Sequence, residues 1–565
     1  MLLFSSDKST VGHVRAKANR YNFAIAFFVA LGSFTYGFNS AIIGSVIGEP
    51  SFYSYFKFEA TSAYGGRILG ASNGTYAGAG VIGCWTVFWL LDTLGRKRAV
   101  QIIALVCIIS AALQAGAVHI AMFLVGRCLN GLGVGFINTA IPTYISEISP
   151  PAQRGRIVGS HGFIICVSYG VSAWCGLGIY YENNPTIQWR LLLALQIVAP
   201  LLLLLGSPFI PESPRWLISN GRNQQEPGLN VVEKLHANAS DPQHIGAREE
   251  YVQIKRQIEL ERSQPSPNIF QLVFSRKYGK RMLYGFYLQA MCQSTGVLVI
   301  SNYMVLLLGK LGVTGSTPLL LLAVYNSWAA FLNFINALLI DRIGRIRIIT
   351  IGISGCICCL ILVTALNANY TNVGNTNKSG QTAAIFFMFL FVTFYGFGTD
   401  VSSYVYCSEI FPTHIRAKGV GWSVSGLFLM TTSKSNPGVC LTEKTNPHDM
   451  CILVYTSVAG TAFNSIGWKY YLVFIIVTSL MLPYVVWKFP ETKGLSLEEV
   501  GALFGDEVAL DVTHLTDQEQ QELDAAIIGG HALSGAEKYG AALDTKTGTA
   551  WESPRDGSEH LEEVA

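Results

Sequence analysis

The sequence predicts an all-α polytopic membrane protein, with twelve transmembrane helices in two six-helix repeats. Three observations lead there. Of 565 residues, 50% are hydrophobic and only 13% are charged, against about 25% charged in soluble chains, and the mean hydropathy is +0.38. Eleven apolar runs are long enough to span a bilayer, and a twelfth comes in two pieces. Three charged motifs each occur twice, at similar offsets. So few charges cannot cover the water-facing surface of a chain this long. That excludes a disordered chain, a nucleic-acid binder and most soluble enzymes.

The runs follow in order. Residues 1–22 are polar and basic after Met1–Phe4, with no signal-peptide core, and form an N-terminal segment. Apolar stretches lie near 23–44, 68–91, 99–118, 121–145, 158–179 and 190–210, giving a first bundle over 23–211. A polar central loop, 212–281, contains an amphipathic, charge-laced helix over Glu249–Arg262. The second bundle, 282–488, has runs near 283–308, 318–340, 348–367, 383–407, 419–432 with 452–465, and 469–488. An acidic tail, 489–565, closes the chain; from Phe504 onward it carries 14 acids and 3 bases, a net of −11, which leaves +14 on the rest. The 12 cysteines lack zinc spacing and read as small packing residues.

Every second loop is basic: Arg96, Lys97 and Arg98; Arg154 and Arg156; Arg342, Arg345 and Arg347; Arg416 and Lys418. The positive-inside rule puts these loops and both termini in the cytoplasm of a multi-pass protein, with the plasma membrane as its expected location. The sequons at Asn369 and Asn377 then face outward, where glycosylation is allowed, and the one at Asn238 faces inward and is silent.

The repeat is explicit. Asp92-Thr-Leu-Gly-Arg96 recurs as Asp341-Arg-Ile-Gly-Arg345, offset 249; Glu147 with Pro150 and Arg154 recurs as Glu409 with Pro412 and Arg416, offset 262; Pro211-Glu212 recurs as Pro490-Glu491, offset 279. Two parallel repeats of six helices are an architecture of alternating-access carriers.

These motifs, with Gly126-Arg127, Pro142-x-Tyr144 and Pro211-Glu-Ser-Pro-Arg215, resemble the sugar porters of the major facilitator superfamily, fungal type, over about residues 23–500. The resemblance implies the major facilitator fold and a secondary carrier for a sugar or polyol, expected as a monomer. It implies no enzyme and no cofactor, metal or nucleic-acid partner; the expected partners are a sugar-like solute and the bilayer. No phosphate-binding loop of the Gly-x-x-x-x-Gly-Lys type is present.

The resemblance also assigns sites. Arg96, Arg154, Arg345 and Arg416 are expected to pair with Glu147, Glu212, Glu409 and Glu491 and to latch the halves together. Arg127, inside an apolar run, is expected at the cytoplasmic gate, the bland alternative being a side chain that snorkels to the membrane edge. Thr93 stands where the family has Arg, which weakens the first latch. At the midplane, Gln289, Gln293 and Thr295 of span 7 are retained, but Gly162 (beside His161), Ala329 (between Asn326 and Asn333), Tyr404 and Leu427-Phe428 replace family amides and indoles. A site missing such partners binds a hexose poorly unless other groups refill it; Asn39, His161, Asn326, Asn333, Tyr404 and Phe428 are expected to join Gln289, Gln293 and Thr295 in binding the substrate, and Gly162 and Ala329 to enlarge the site. Asn39 stands where proton symporters of the family carry an acid, which favours uniport. Asp400, inside span 10, has three readings: a proton site, the partner of a cationic substrate group, or a satisfied acceptor beside water.

Three functional readings remain: a sugar or polyol carrier, a carrier of a less polar metabolite, and a non-transporting sugar sensor. One anomaly interrupts span 11. Residues 433–454 carry charges, two prolines and a glycine where a lipid-facing helix should continue. Joining Thr432 to Tyr455 restores an ordinary helix and brings the third repeat offset to 257. The segment reads as a retained intron translated in frame, or alternatively as an outward loop closed by a Cys440–Cys451 disulfide.

Overall fold

The computed structural model describes residues 19–59, 62–149, 154–220, 225–236, 245–263, 268–370, 378–412, 415–431, 455–493, 500–501 and 503–504. Among these there is helix and no strand. Eleven helices among them are long and apolar enough to cross a membrane. Spans 1–6 are Arg20–Ile47, Tyr64–Leu94, Arg96–Ala115, Ile120–Ile148, Gly159–Tyr180 and Pro185–Phe209. Spans 7–10 are Gly279–Lys310, Thr317–Ile343, Arg345–Tyr370 and Lys378–Glu409, and span 12 is Gly467–Lys488.

Span 11 is the twelfth crossing, and it comes in two pieces. Helix Arg416–Thr431 has 16 residues and helix Thr456–Ser465 has 10, about 24 Å and 15 Å of rise. Neither alone crosses a hydrocarbon core of about 30 Å. The pieces meet: Tyr455 N donates to Met430 O at 3.2 Å. If Thr432 led directly into Tyr455, that bond would be the i+3 bond of one tight helical turn. Tyr455 is also anchored by its hydroxyl to Ser294 Oγ at 3.1 Å and by its carbonyl to the Tyr470 hydroxyl at 2.6 Å. Residues 433–454, with Cys440 and Cys451, lie outside the described residues, as do Asn238, Asn377, the side chain of Arg154 and the chain from 505 onward.

Local sequence fixes the helix ends. Asn19 and Ser62 cap spans 1 and 2 by accepting from Asn22 N and Gly65 N. Two spans break at mid-membrane. Span 7 is interrupted at Gly296, whose φ of +78° favours glycine. Span 10 is interrupted at Thr399, so Asp400 opens a new half-helix, Asp400–Glu409. Between the halves run helices Pro214–Ser219, Gln225–His236, Ile245–Ser263 and Ile269–Phe274, the third of which covers the charge-laced stretch expected at Glu249–Arg262.

Phe27, Trp89, Leu480 and Trp487 point outward, each at least 70% exposed, which suits lipid and not water. Spans 2 and 11 bring the two halves together. Trp85 stacks on Trp422 at 5.9 Å, and Gly460 meets Gly66 O, 3.4 Å from where a Cβ would stand.

Candidate functional site

Two kinds of site emerge, a charged knot at one end of each half and a cavity at mid-membrane between the halves.

The knots are built alike. Arg96 makes a bidentate pair with Glu147, Nε–Oε2 and Nη2–Oε1 both at 2.8 Å. Arg345 does the same with Glu409, at 3.1 and 2.9 Å. Planar guanidinium matches carboxylate geometry, which is why arginine stands at both positions. Glu212 and Glu491 act differently from expectation. Glu212 accepts from Arg96 N at 2.7 Å and Lys97 N at 3.2 Å, and Glu491 from Arg345 N at 2.8 Å and Ile346 N at 3.0 Å. Each carboxylate thus caps the N-terminus of the next span, where unpaired N–H groups and the helix dipole favour negative charge. Burial pushes the Glu212 carboxyl up, and the N–H donors oppose that shift. Gly95 and Gly344, at φ +84° and +107°, permit this approach; a Cβ there would stand 2.6 and 2.8 Å from the capping carboxylate.

For Arg96 and Arg345 the expectation of a latch between the two halves is corrected by the geometry; the side chain of Arg154 lies outside the described residues. Arg96 and Glu147 belong to the first half and Arg345 and Glu409 to the second, so each pair ties helices within a half. What crosses between halves is a charged cavity beside the first knot, lined by Asp92, Arg96 and Glu147 on one side and Arg416 and Lys418 on the other. Arg416 Nε donates to Phe411 O at 3.3 Å. Arg127 joins neither knot. It lies twenty residues before Glu147 on the same helix, about 30 Å away along the axis, and its guanidinium sits 4.4 Å over the Tyr76 ring. The resemblance groups Arg127 with the knots at one gate; in the structure Arg127 and Glu147 lie toward opposite ends of span 4.

The mid-membrane cavity is lined by Tyr36, Gly162, Cys166 and Tyr169 from the first half, and by Gln293, Tyr325, Asn326, Ala329, Asn333, Tyr395, Asp400, Tyr404 and Leu427 from the second. Of the expected residues it gathers Gln293, Asn326, Asn333, Asp400 and Tyr404. Gln289 is buried elsewhere, its amide 3.7 Å from Cys407 Sγ. Thr295 turns back onto Cys292 O at 2.7 Å. Asn39 is buried off the cavity with both side-chain polar atoms unpaired among the described residues, and Phe428 packs on Gly80. Space at Gly162 is taken up by Val401, 3.2 Å from a would-be Cβ, so the expected enlargement there is offset.

A polar relay joins the halves behind this cavity. Ser33 Oγ meets His161 Nδ1 at 2.6 Å, His161 Nε2 meets Asn138 Oδ1 at 3.2 Å, and Asn138 Nδ2 donates to the Tyr404 hydroxyl at 3.3 Å. Tyr169, Tyr325, Tyr395 and Cys166 line the cavity without having been expected from the sequence. Their signal is helical spacing: 162, 166 and 169 on span 5 share a face, as do 392, 395 and 396 on span 10.

A profile of the "Sugar (and other) transporter" family matches residues 25–504. The chain belongs to that family. Among relatives of this sugar porter, the MFS-type transporter criB of Aspergillus cristatus is 29% identical over 503 residues, covering 89% of this chain and 97% of that one. A high-affinity glucose transporter of Kluyveromyces lactis is 29% identical over 504 residues, covering 86% of each. A probable quinate permease of Aspergillus niger is 28% identical over 508 residues, covering 86% of this chain and 88% of the relative. The fold matches the proton:xylose symporter XylE bound to 6-bromo-6-deoxy-D-glucose, with a TM-score of 0.69 at 21% identity over 86% of this chain and 99% of that one. The sugar porter is therefore a multi-pass membrane protein of twelve-helix major facilitator fold.

Proposed function

We propose that this sugar porter is a facilitative carrier of a sugar- or polyol-like solute, working as a monomer by alternating access in the plasma membrane. The observation that carries this reading is the cavity itself. It lies at mid-membrane, draws walls from both halves, and presents Gln293, Asn326 and Asn333 beside tyrosine hydroxyls. Such groups match sugar hydroxyls one by one, and Gln293 Oε1 has no partner among the described residues. The basic loops favour a cytoplasmic position for the knotted end and both termini. Asn369 and Asn377 then lie outside as glycosylation sites. Asn39 is an amide and exchanges no proton near neutral pH, which supports uniport.

The test is uptake of labelled glucose, xylose and quinate into transporter-null yeast. Gln293→Ala is expected to lower uptake at least tenfold with surface expression held. Near-normal uptake in that variant removes span 7 from the site. A protonophore is expected to leave uptake unchanged; accumulation above the outside concentration that collapses with the proton gradient sinks uniport. A second reading, a less polar cargo, is favoured by the withdrawal of Gln289, Thr295 and Asn39 from the cavity and by the apolar surface that Val297, Leu298 and Leu427 give it. Binding without uptake of any solute would favour the sensor.

A further inference from the structure

Asp400 is the one acidic group of the cavity among the described residues, and its surroundings are unusual. Its Oδ2 accepts from Cys166 Sγ at 3.0 Å and from Asn333 Nδ2 at 3.2 Å. Oδ1 accepts no hydrogen bond among the described residues. No arginine, lysine or histidine among them lines the cavity. His161 is held away by Ser33 and Asn138, and Arg127 is held over Tyr76. An intramembrane carboxylate with no counter-cation is costly and normally marks a substrate or ion path. Five tyrosines, Tyr36, Tyr169, Tyr325, Tyr395 and Tyr404, line the same cavity, and Tyr169, Tyr395 and Tyr404 lie close enough to Asp400 to feel its charge. Aromatic faces attract cations, and the attraction is strongest where water is excluded.

We propose that the cavity selects a hydroxylated ring bearing a protonated amine, an amino sugar or aminocyclitol, with the ammonium on Asp400 and the hydroxyls on Gln293 and Asn326. The proposal rests on the carrier reading and names its substrate class. The cargo brings the charge that the protein leaves out: the ammonium donates to the open Oδ1 and lies against the tyrosine rings. A carboxylated ring of the quinate type meets the same oxygen with like charge and is rejected. A neutral hexose is accepted, but without the ion pair.

The test uses the purified full chain in proteoliposomes. Uptake of labelled glucose is competed with glucosamine, N-acetylglucosamine and quinate at about pH 6.5, where the hexosamine is largely protonated. N-acetylglucosamine keeps the ring and removes the charge, so the comparison needs no variant. Glucosamine is expected to compete at least tenfold better than N-acetylglucosamine or glucose, and quinate least well. In Asp400→Asn the glucosamine-to-glucose preference is expected to fall at least tenfold, and in Asp400→Glu to persist. Glucose uptake with no preference for the amine, or with quinate competing as well as glucosamine, overturns the proposal and leaves the carrier reading standing. An unchanged preference in Asp400→Asn, with loss of proton-driven accumulation instead, also overturns it and makes Asp400 a proton site. No uptake of any of these solutes by folded protein overturns the carrier reading itself.

Discussion

The two halves are nearly superimposable in chemistry at one end and unlike everywhere else. At the knotted end, each has an arginine bidentate to a glutamate and a second glutamate capping the next helix. At mid-membrane the second half supplies Gln293, Asn333 and Asp400, whereas the first supplies Tyr36, Cys166 and Tyr169. At the far end, just past span 1, stands Glu49, fully buried with both carboxylate oxygens unpaired among the described residues. Its counterpart near the end of span 7 is Lys310, whose Nζ donates to Phe463 O at 2.8 Å. The likeness lies in groups that tie each half's own helices together, and the divergence in groups that face the cavity.

The largest expected effect tests the likeness. Arg96→Ala and Arg345→Ala each strip a largely buried glutamate, the arginines being only 10% exposed. Each is expected to cost about 3 kcal/mol, read as a fall in melting temperature of the detergent-solubilised protein, with transport lost in parallel. The losses should agree within about a factor of two. A large effect in one half alone would break the equivalence.

The next effect tests the divergence. Burial pushes the Glu49 carboxyl up to about 7 from 4.5, so the folded state holds its proton more tightly than the unfolded chain. The linked stability is complete below about pH 4.5 and is lost as pH rises through about 7. Its full size is about 3 kcal/mol, each pH unit between those values being worth about 1.4 kcal/mol. Melting temperature measured from about pH 5 to 8 should fall, and Glu49→Gln should flatten the slope and stabilise the protein at the alkaline end. An unchanged slope in the variant would place the pH dependence elsewhere. The smallest effect is Thr93→Arg, which restores the residue that the second half keeps as Arg342. Thr93 is exposed and its hydroxyl is bonded to Trp89 O, so the new charge should change stability by less than about 0.5 kcal/mol.

The spans are readable in the sequence because crossing a bilayer demands about twenty apolar residues in a row, and no other element imposes that. The knots are readable as motifs, since each Asp-x-x-Gly-Arg ends one span and begins the next. Which helix face turns inward is harder to read. Gln289 and Gln293 are four apart and share a face, yet only Gln293 lines the cavity, because span 7 ends its first half-helix at Ser294 and Gln289 is drawn to Cys407. The tyrosines escape a reading by hydropathy because a ring is as much at home in lipid as in a cavity. The depth of Arg127 is not legible because a lone cation in an apolar run reports burial, not depth.

Span 11 shows that a transmembrane helix can be defined by its neighbours and not by an unbroken backbone. Tyr455 is seated by Ser294 and Tyr470, and its N–H finds Met430 O across the interruption. Excising residues 433–454 should change uptake by less than about threefold, since the joined helix reproduces a bond that already exists. Co-expressing the chain up to Thr432 with the chain from Tyr455 onward should rebuild a working carrier without the covalent link. Failure of the excised form to fold would mean that the segment is a working part, and sequencing the mature transcript would show whether cells make it at all.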